Sequence, residues 1–424
     1  MWKLSPRPAL LLSLGLASAA GALAQAPPAC AMELALQGGR AYQAGDYARA
    51  AALYRRSVAQ GAKSPGQPYL GASACALAGD RDAAFALLRK AEELGFHEAG
   101  RLKDEAALAP LHADPRWPER VAGVEANERR FEADHADPAG AKFITTDVDR
   151  FWQVYAKLPT AADPVGLLNR EYLDAGTAGL QDFIPNRILG GANLYAALRK
   201  YPRYYAAIRA NTLRVAGVET AVRQSFRRLK ALYDEAVFPD VYFVLGTLDS
   251  GGTSTSNGLL IGLDMFGLGP GVPMDELGDW HREVIHSTDV LPSIIAHELI
   301  HFQQKHEGGT LLARAIHEGS ADFVASLISD GTFNQAAYAY GYAHEAALWK
   351  QFQAEMRGTE ASKWLYGSSR RDGHPADLGY FMGFRIAQAY YDRAADKRQA
   401  IRDILTSGDF ERILKDSHYG EHLK

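Results

Sequence analysis

The amino-acid sequence predicts a mostly helical α+β protein, with an α-helical repeat module in front of a larger domain that contains a small sheet. Three observations lead there. A repeat of 34 residues runs through positions 31–95. Two short apolar runs, 241–245 and 258–263, interrupt an otherwise helical pattern. The pentapeptide His297-Glu298-Leu299-Ile300-His301 lies on one helical stretch, and a second follows after Gly308-Gly309.

The chain of 424 residues has room for two or three domains and a sizeable core. It is 47% hydrophobic and 23% charged with a formal net charge of −4, which offers no basic surface for nucleic acid. At the front, Lys3 and Arg7 precede an apolar run over 9–20, and Ala22-Leu23-Ala24 fits the small-x-small rule for cleavage before Gln25. Residues 1–24 therefore read as a signal peptide. The run is too short and too glycine-rich for a membrane span, so no transmembrane segment is expected after cleavage and the mature protein is expected to be periplasmic or secreted. Cys30 lacks the leucine three residues earlier that a lipoprotein signal carries, so lipidation is not expected. Cys30 and Cys75 are the two cysteines; their setting suggests no metal site, and both a disulfide and a buried Cys75 thiol are compatible with the sequence.

Ala44-Gly45-Asp46 recurs as Ala78-Gly79-Asp80, and Ala50/Ala84, Ala52/Ala86, Leu53/Leu87 and Arg55/Arg89 keep the same shift. A period of 34 with small residues at fixed helical positions resembles tetratricopeptide (TPR) hairpins. Two repeats must bury their faces on a neighbour, so residues 106–124 are expected to supply a capping helix to a module spanning 31–124. The module reads either as a protein- or peptide-binding groove or as a packing unit docked on the rest. The polar stretch within 125–142, around Asp134-His135-Ala136-Asp137-Pro138, has linker character, which favours a separable module.

Helical patterns fill most of 143–236. Tyr201, Tyr204 and Tyr205 follow helical spacing and are assigned to core rather than to a recognition patch. Residues 241–245 and 258–263 read as strands, and Asp249 to Asn257 between them as a flexible connection. The connection lacks the Gly-Lys-Ser/Thr of a phosphate loop. Beyond the motif, 333–357 and 376–394 are again helical.

The motif carries the chemistry. Residues four apart on a helix share a face, so His297 and His301 can direct two imidazoles at one metal ion while Glu298 reaches a water on it. Ser287, Thr288 or Asp289 can cap this helix, and Leu291, Ile295, Leu299 and Phe302 form its apolar stripe. One such pentapeptide arises by chance in roughly one chain in fifty. A three-ligand site needs another donor. Glu318 follows after one turn of chain, and Asp322 lies one helical turn beyond it, placed to accept the free N–H of a ligand imidazole. Requiring both lowers the chance to ~1 in 1,000. His281, His286, His306 and His317 have no ligand spacing.

The residues His297-Glu-Leu-Ile-His301 followed by Glu318-Gly-Ser-Ala-Asp322 resemble the thermolysin-like gluzincins. That resemblance implies a zincin-like catalytic domain over 143–424, Zn²⁺ as cofactor, His297, His301 and Glu318 as ligands, Glu298 as general base and Asp322 as orienter. It further implies a sheet above the motif helix whose edge strand pairs with extended substrate; 258–263 is the candidate edge, with an ordinary interior strand as the alternative. A wider resemblance, from about Phe151 to Tyr391, is to bacterial predicted zinc-dependent proteases related to gliding-motility lipoproteins. It rests on Phe238-Pro-Asp-Val-Tyr-Phe-Val-Leu-Gly246, Gly251-Gly252-Thr253 and Gly379-Tyr-Phe-Met-Gly-Phe-Arg385.

An oxyanion needs a donor, and Tyr380 is the catalytic candidate, with His374 and Arg385 nearby in sequence. The expected function is a zinc metallopeptidase acting on a peptide or protein substrate, with a further protein partner possible through the repeat module. The alternative is a non-catalytic envelope scaffold on a peptidase fold, against which the intact Glu298 argues because metal binding does not require it.

Overall fold

In the computed structural model, residues 30–331, 335–366, 374–421 and 423 are described. The expected signal peptide and the start of the helical stretch at 333 lie outside these residues. No helix among the described residues is long and apolar enough to cross a membrane.

The repeated Gly-Asp has a local physical origin. Gly45 and Gly79 take φ of +77° and +83°, ending one helix in the left-handed conformation that glycine adopts without a Cβ penalty. Asp46 and Asp80 then cap the next helix, accepting from the backbone N–H of Arg49 at 3.2 Å and of Ala83 at 3.0 Å. Helices Ala31–Gln43, Tyr47–Ala59, Gly66–Leu77 and Arg81–Glu93 follow, each packed on the next. Cys30 and Cys75 are both free thiols, and Cys75 is fully buried.

Helix Trp117–Asp134 continues ten residues past the expected end of the cap, so the irregular stretch begins only at His135. Phe131 is sandwiched between the rings of His97 and His135, at 3.9 and 4.0 Å between centroids, and faces Phe302 at 6.1 Å. The front helices are also fastened to the body. Asp174 accepts the N–H groups of Ala31 and Met32 at 3.2 and 2.9 Å, and Lys63 Nζ donates to the carbonyls of Ala175 and Gly176, both at 2.8 Å. A single apolar core runs from Met32 to Tyr419.

The sheet has four strands in the order β1 (Phe143–Ile144), β2 (Val241–Val244), β4 (Gly258–Gly262), β3 (Gly252–Thr255). β1 and β4 flank β2 in parallel, while β3 runs antiparallel to β4 with Gly252 opposite Ile261 and Thr255 opposite Gly258. Two expectations are thereby corrected. The candidate edge strand over 258–263 is interior, as its wholly buried residues Gly258–Gly262 show, and the edge is β3. The stretch expected to be a flexible connection contains that strand. Its Thr-Ser-Thr side chains are all half-buried and give no apolar alternation to read. Since Thr255 pairs with Gly258, a two-residue turn, Ser256-Asn257, joins it to β4.

The tyrosines at 204 and 205 are fully buried, as their spacing predicts, and they hold the sheet end by donating to the carbonyls of Asp264 at 2.7 Å and Gly246 at 2.8 Å. The motif helix is Leu291–Gln303. A 3-10 turn at Thr288–Val290 leads into it, and none of Ser287, Thr288 or Asp289 provides a side-chain cap. Helix Leu311–Ile328, capped by Thr310 accepting from Ala313 N–H at 3.2 Å, returns beside it. Helix Leu378–Arg393 crosses this second helix closely, because a Cβ on Gly383 would meet the Ala315 carbonyl oxygen at 1.6 Å and one on Gly319 the Phe384 nitrogen at 2.1 Å. That contact places Tyr380 over the motif.

Candidate metal centre

His297 and His301 project from one face of the motif helix, and their Nε2 atoms lie 2.9 Å apart. Glu318 Oε2, from the returning helix, is 3.2 Å from His301 Nε2 and 3.8 Å from His297 Nε2. Among the described residues this is the one group of three His, Cys, Asp or Glu residues with ligand atoms within 4.8 Å of one another. Tetrahedral zinc with bonds of about 2.0–2.1 Å separates its donors by roughly 3.3 Å, and the three spacings straddle that value. Two neutral nitrogens and a carboxylate leaving one position open fit a catalytic zinc donor set.

Each imidazole is held by its far nitrogen. His297 Nδ1 donates to Asp322 Oδ1 at 2.7 Å, as the spacing predicts, and Asp322 Oδ2 in turn accepts the Tyr338 hydroxyl at 2.6 Å. His301 Nδ1 donates to Gln304 Oε1 at 2.7 Å. The Gln304 amide is oriented by donating through Nε2 to the His317 carbonyl at 2.8 Å and to Ser320 Oγ at 3.1 Å. Both imidazoles therefore keep a proton on Nδ1 and aim Nε2 at the same point, so that losing any Nε2 proton would free two lone pairs for one ion. Gln304 is three residues beyond His301, just past the helix end in an extended conformation, so helical spacing does not point to it. Tyr338 comes from another helix, and no local spacing points to it.

Electrostatics follow from burial and proximity. Burial pushes the His301 imidazole down, but the adjacent Glu318 carboxylate more than reverses this and lifts it to about 9. Burial pushes Glu318 up, and the His301 charge and hydrogen bond bring it down to about 2. His317 stacks on His301 at 4.8 Å between centroids; burial, then the His301 charge, holds its pKa down at about 4. It stays neutral outside the cluster.

Glu298 is buried beside the ligands and is not one of them. Burial raises its pKa, while the charges of His297 and His301 pull it back. The wall over it is β3: a Cβ on Gly252 would come within 2.5 Å of Glu298 Oε1, so only glycine lets the strand lie there. The Tyr380 ring stacks on His297 at 6.3 Å between centroids and 26°. Burial, and next the Glu318 charge, keep the Tyr380 phenol protonated and able to donate. Tyr366, which sequence reasoning missed, has its phenol raised by burial and then by the Glu318 carboxylate that it hydrogen-bonds. Its φ of +67° is unusual for a tyrosine.

Other residues singled out in the sequence go elsewhere. His374 Nδ1 takes the Tyr340 hydroxyl, and Arg385 is engaged by Glu345 at 2.6 Å and by Gln388. His281 packs between Tyr201 and Trp280, and His306 lies against Gly408. With His286, they stand apart from the ligand group.

No curated protein matches this chain, and no solved structure does. The family model described as gliding motility protein GldB matches residues 134–357, more than half of the 424-residue chain. The match takes in His297, Glu298, His301, Glu318 and Asp322 and ends before Tyr380, and it supports the relation to gliding-motility lipoproteins; the likeness to gluzincins and to TPR hairpins stays one of residues alone. By that match, the chain belongs to the gliding motility protein GldB family.

Proposed function

We propose that this chain is a zinc-dependent hydrolase of the cell envelope that cleaves peptide bonds. The convergence of His297, His301 and Glu318 on one point beside Glu298 carries the reading. Zinc held there would polarise the scissile carbonyl and make water a nucleophile near neutral pH. Glu298, raised by burial, is suited to accept the attacking water's proton on its carboxylate and deliver it to the leaving amine. Asp322 and Gln304 keep the two imidazoles in one tautomer through their Nδ1 protons. Tyr380 supplies a protonated phenol over His297 for the developing oxyanion.

The family relation favours a second reading, in which the chain is an envelope scaffold for motility and the metal site serves structure. An envelope location suits both. Purified protein assayed for zinc and then incubated with a broad peptide library separates them. Zinc-dependent cleavage supports the hydrolase; bound zinc without cleavage of any peptide leaves the scaffold.

A further inference from the structure

Asp182 joins three segments that are far apart in sequence. Its carboxylate accepts the hydroxyl of Ser64, from the front helical layer, and the hydroxyl of Thr255 at 3.1 Å, from β3. It also accepts the side-chain amide of Asn257 at 2.5 Å, from the hairpin turn. Asn257 Nδ2 reaches Ser64 Oγ as well, at 3.3 Å. The group is half-buried: burial pushes its pKa up and its three side-chain donors pull it back. A carboxylate partly shielded from water is destabilised when its donors are removed, so the set acts as a unit.

The side of this joint that belongs to the front layer is itself fixed. Lys63 N–H donates to Gln181 Oε1 at 3.1 Å, and Ser64 Oγ accepts the Gly66 N–H at 3.1 Å. β3 needs such an anchor. It has four residues, pairs on one side only, and carries no buried alternation, which leaves its register weakly specified by its own side chains. Its far end, at Gly252, is the wall against Glu298.

We propose that Asp182 is a positioning residue through which the front helical layer, by way of Ser64, fixes β3 against Glu298. The layer then sets the rigidity of the wall beside the metal centre. This holds whether the centre hydrolyses peptides or not, because it concerns the strand and not the reaction.

Hydrogen exchange of the full-length protein tests it directly. Ser64→Ala cuts the links from the front layer to Asp182 and Asn257, together with the local Gly66 N–H bond, and Asp182→Asn weakens the whole joint. Both should raise amide exchange in peptides covering 252–257 by at least ~10-fold, the effect of losing a hydrogen bond to a charged group. Exchange in β2 and in the motif helix should stay at the wild-type level. Ser64→Thr, which keeps the hydroxyl, should restore protection; a purely steric role for residue 64 would not give that rescue. Unchanged exchange at 252–257 in Ser64→Ala, or an increase spread evenly over the sheet, would overturn the proposal. Ser64→Ala alone decides if Asp182→Asn fails to fold.

Discussion

Asp322 Oδ1 accepts the Nδ1 proton of His297 at 2.7 Å, which turns the opposite nitrogen toward Nε2 of His301, 2.9 Å away. His301 has a neutral counterpart in Gln304. The two ligands are thus oriented alike but not equally tuned, since a carboxylate makes its imidazole a stronger donor than an amide does. Asp322→Ala should weaken zinc binding about 10–100-fold, and Gln304→Ala should weaken it less. Competition with a chelator measures both. Equal or reversed losses would show that the charge on Asp322 does not tune the site.

Zinc content should be one ion per chain, because three protein donors and one open position make one site. His301→Ala should lose it. Elemental analysis of protein purified without added metal checks the number.

Metal binding should be strongly pH-dependent. In the metal-free protein the His301 pKa is raised from its ordinary 6.5 to about 9. Its contribution to stability is therefore full below 6.5 and is lost as pH rises through 9. Glu318 is lowered from 4.5 to about 2, so its contribution is present above 4.5 and is lost as pH falls through 2. The metal-free pair is most stabilising between those ordinary values, where zinc must displace the His301 proton. Zinc affinity should then rise with pH up to about 9, with about one proton released per ion at neutral pH. Calorimetry in buffers of different ionisation enthalpy counts that proton, and a count near zero would contradict the charged pair.

The grouping of His297, His301 and Glu318 was legible because its geometry is local. His297 and His301 need only the turn of one helix, and Glu318 with Asp322 only the next helix back. β3 was hidden because Thr253, Ser254 and Thr255 carry no apolar pattern, and its two-residue turn, Ser256-Asn257, is not one of the strong hairpin dipeptides. The docking of the front helices was not legible at all. Its bonds join the Ala31 N–H to Asp174 and the Ser64 hydroxyl to Asp182, pairs 143 and 118 residues apart, through a backbone donor and side chains that look like ordinary surface polars.

Glu298→Gln should retain zinc and fold while losing hydrolysis by at least ~100-fold, since the amide cannot accept the water's proton. Peptide turnover and zinc content of the variant are the measurements. Turnover near the wild-type rate would place the chemistry elsewhere.

The polar stretch near Asp137 suggests a front module that can be removed, and the packing argues otherwise. Helix Trp117–Asp134 carries Phe131 onto Phe302 of the motif helix, so the segment is attached rather than free. Removing residues 30–140 would strip that contact, both backbone donors of Asp174 and the Ser64 hydroxyl from Asp182. It would also expose apolar surface of a core that continues from Met32 into the sheet. Half-buried carboxylates left short of donors cost up to about 1.5–3 kcal/mol each. For the two together, in the remaining chain, that corresponds to a melting midpoint lower by roughly 5–10 °C. A chain beginning at Ala141 should therefore aggregate or melt early, and β3 should be its least protected strand. Differential scanning calorimetry and hydrogen exchange of this truncation test both statements. A soluble truncation melting at the wild-type temperature would make the front layer a separable module, and its role would then lie in binding a partner.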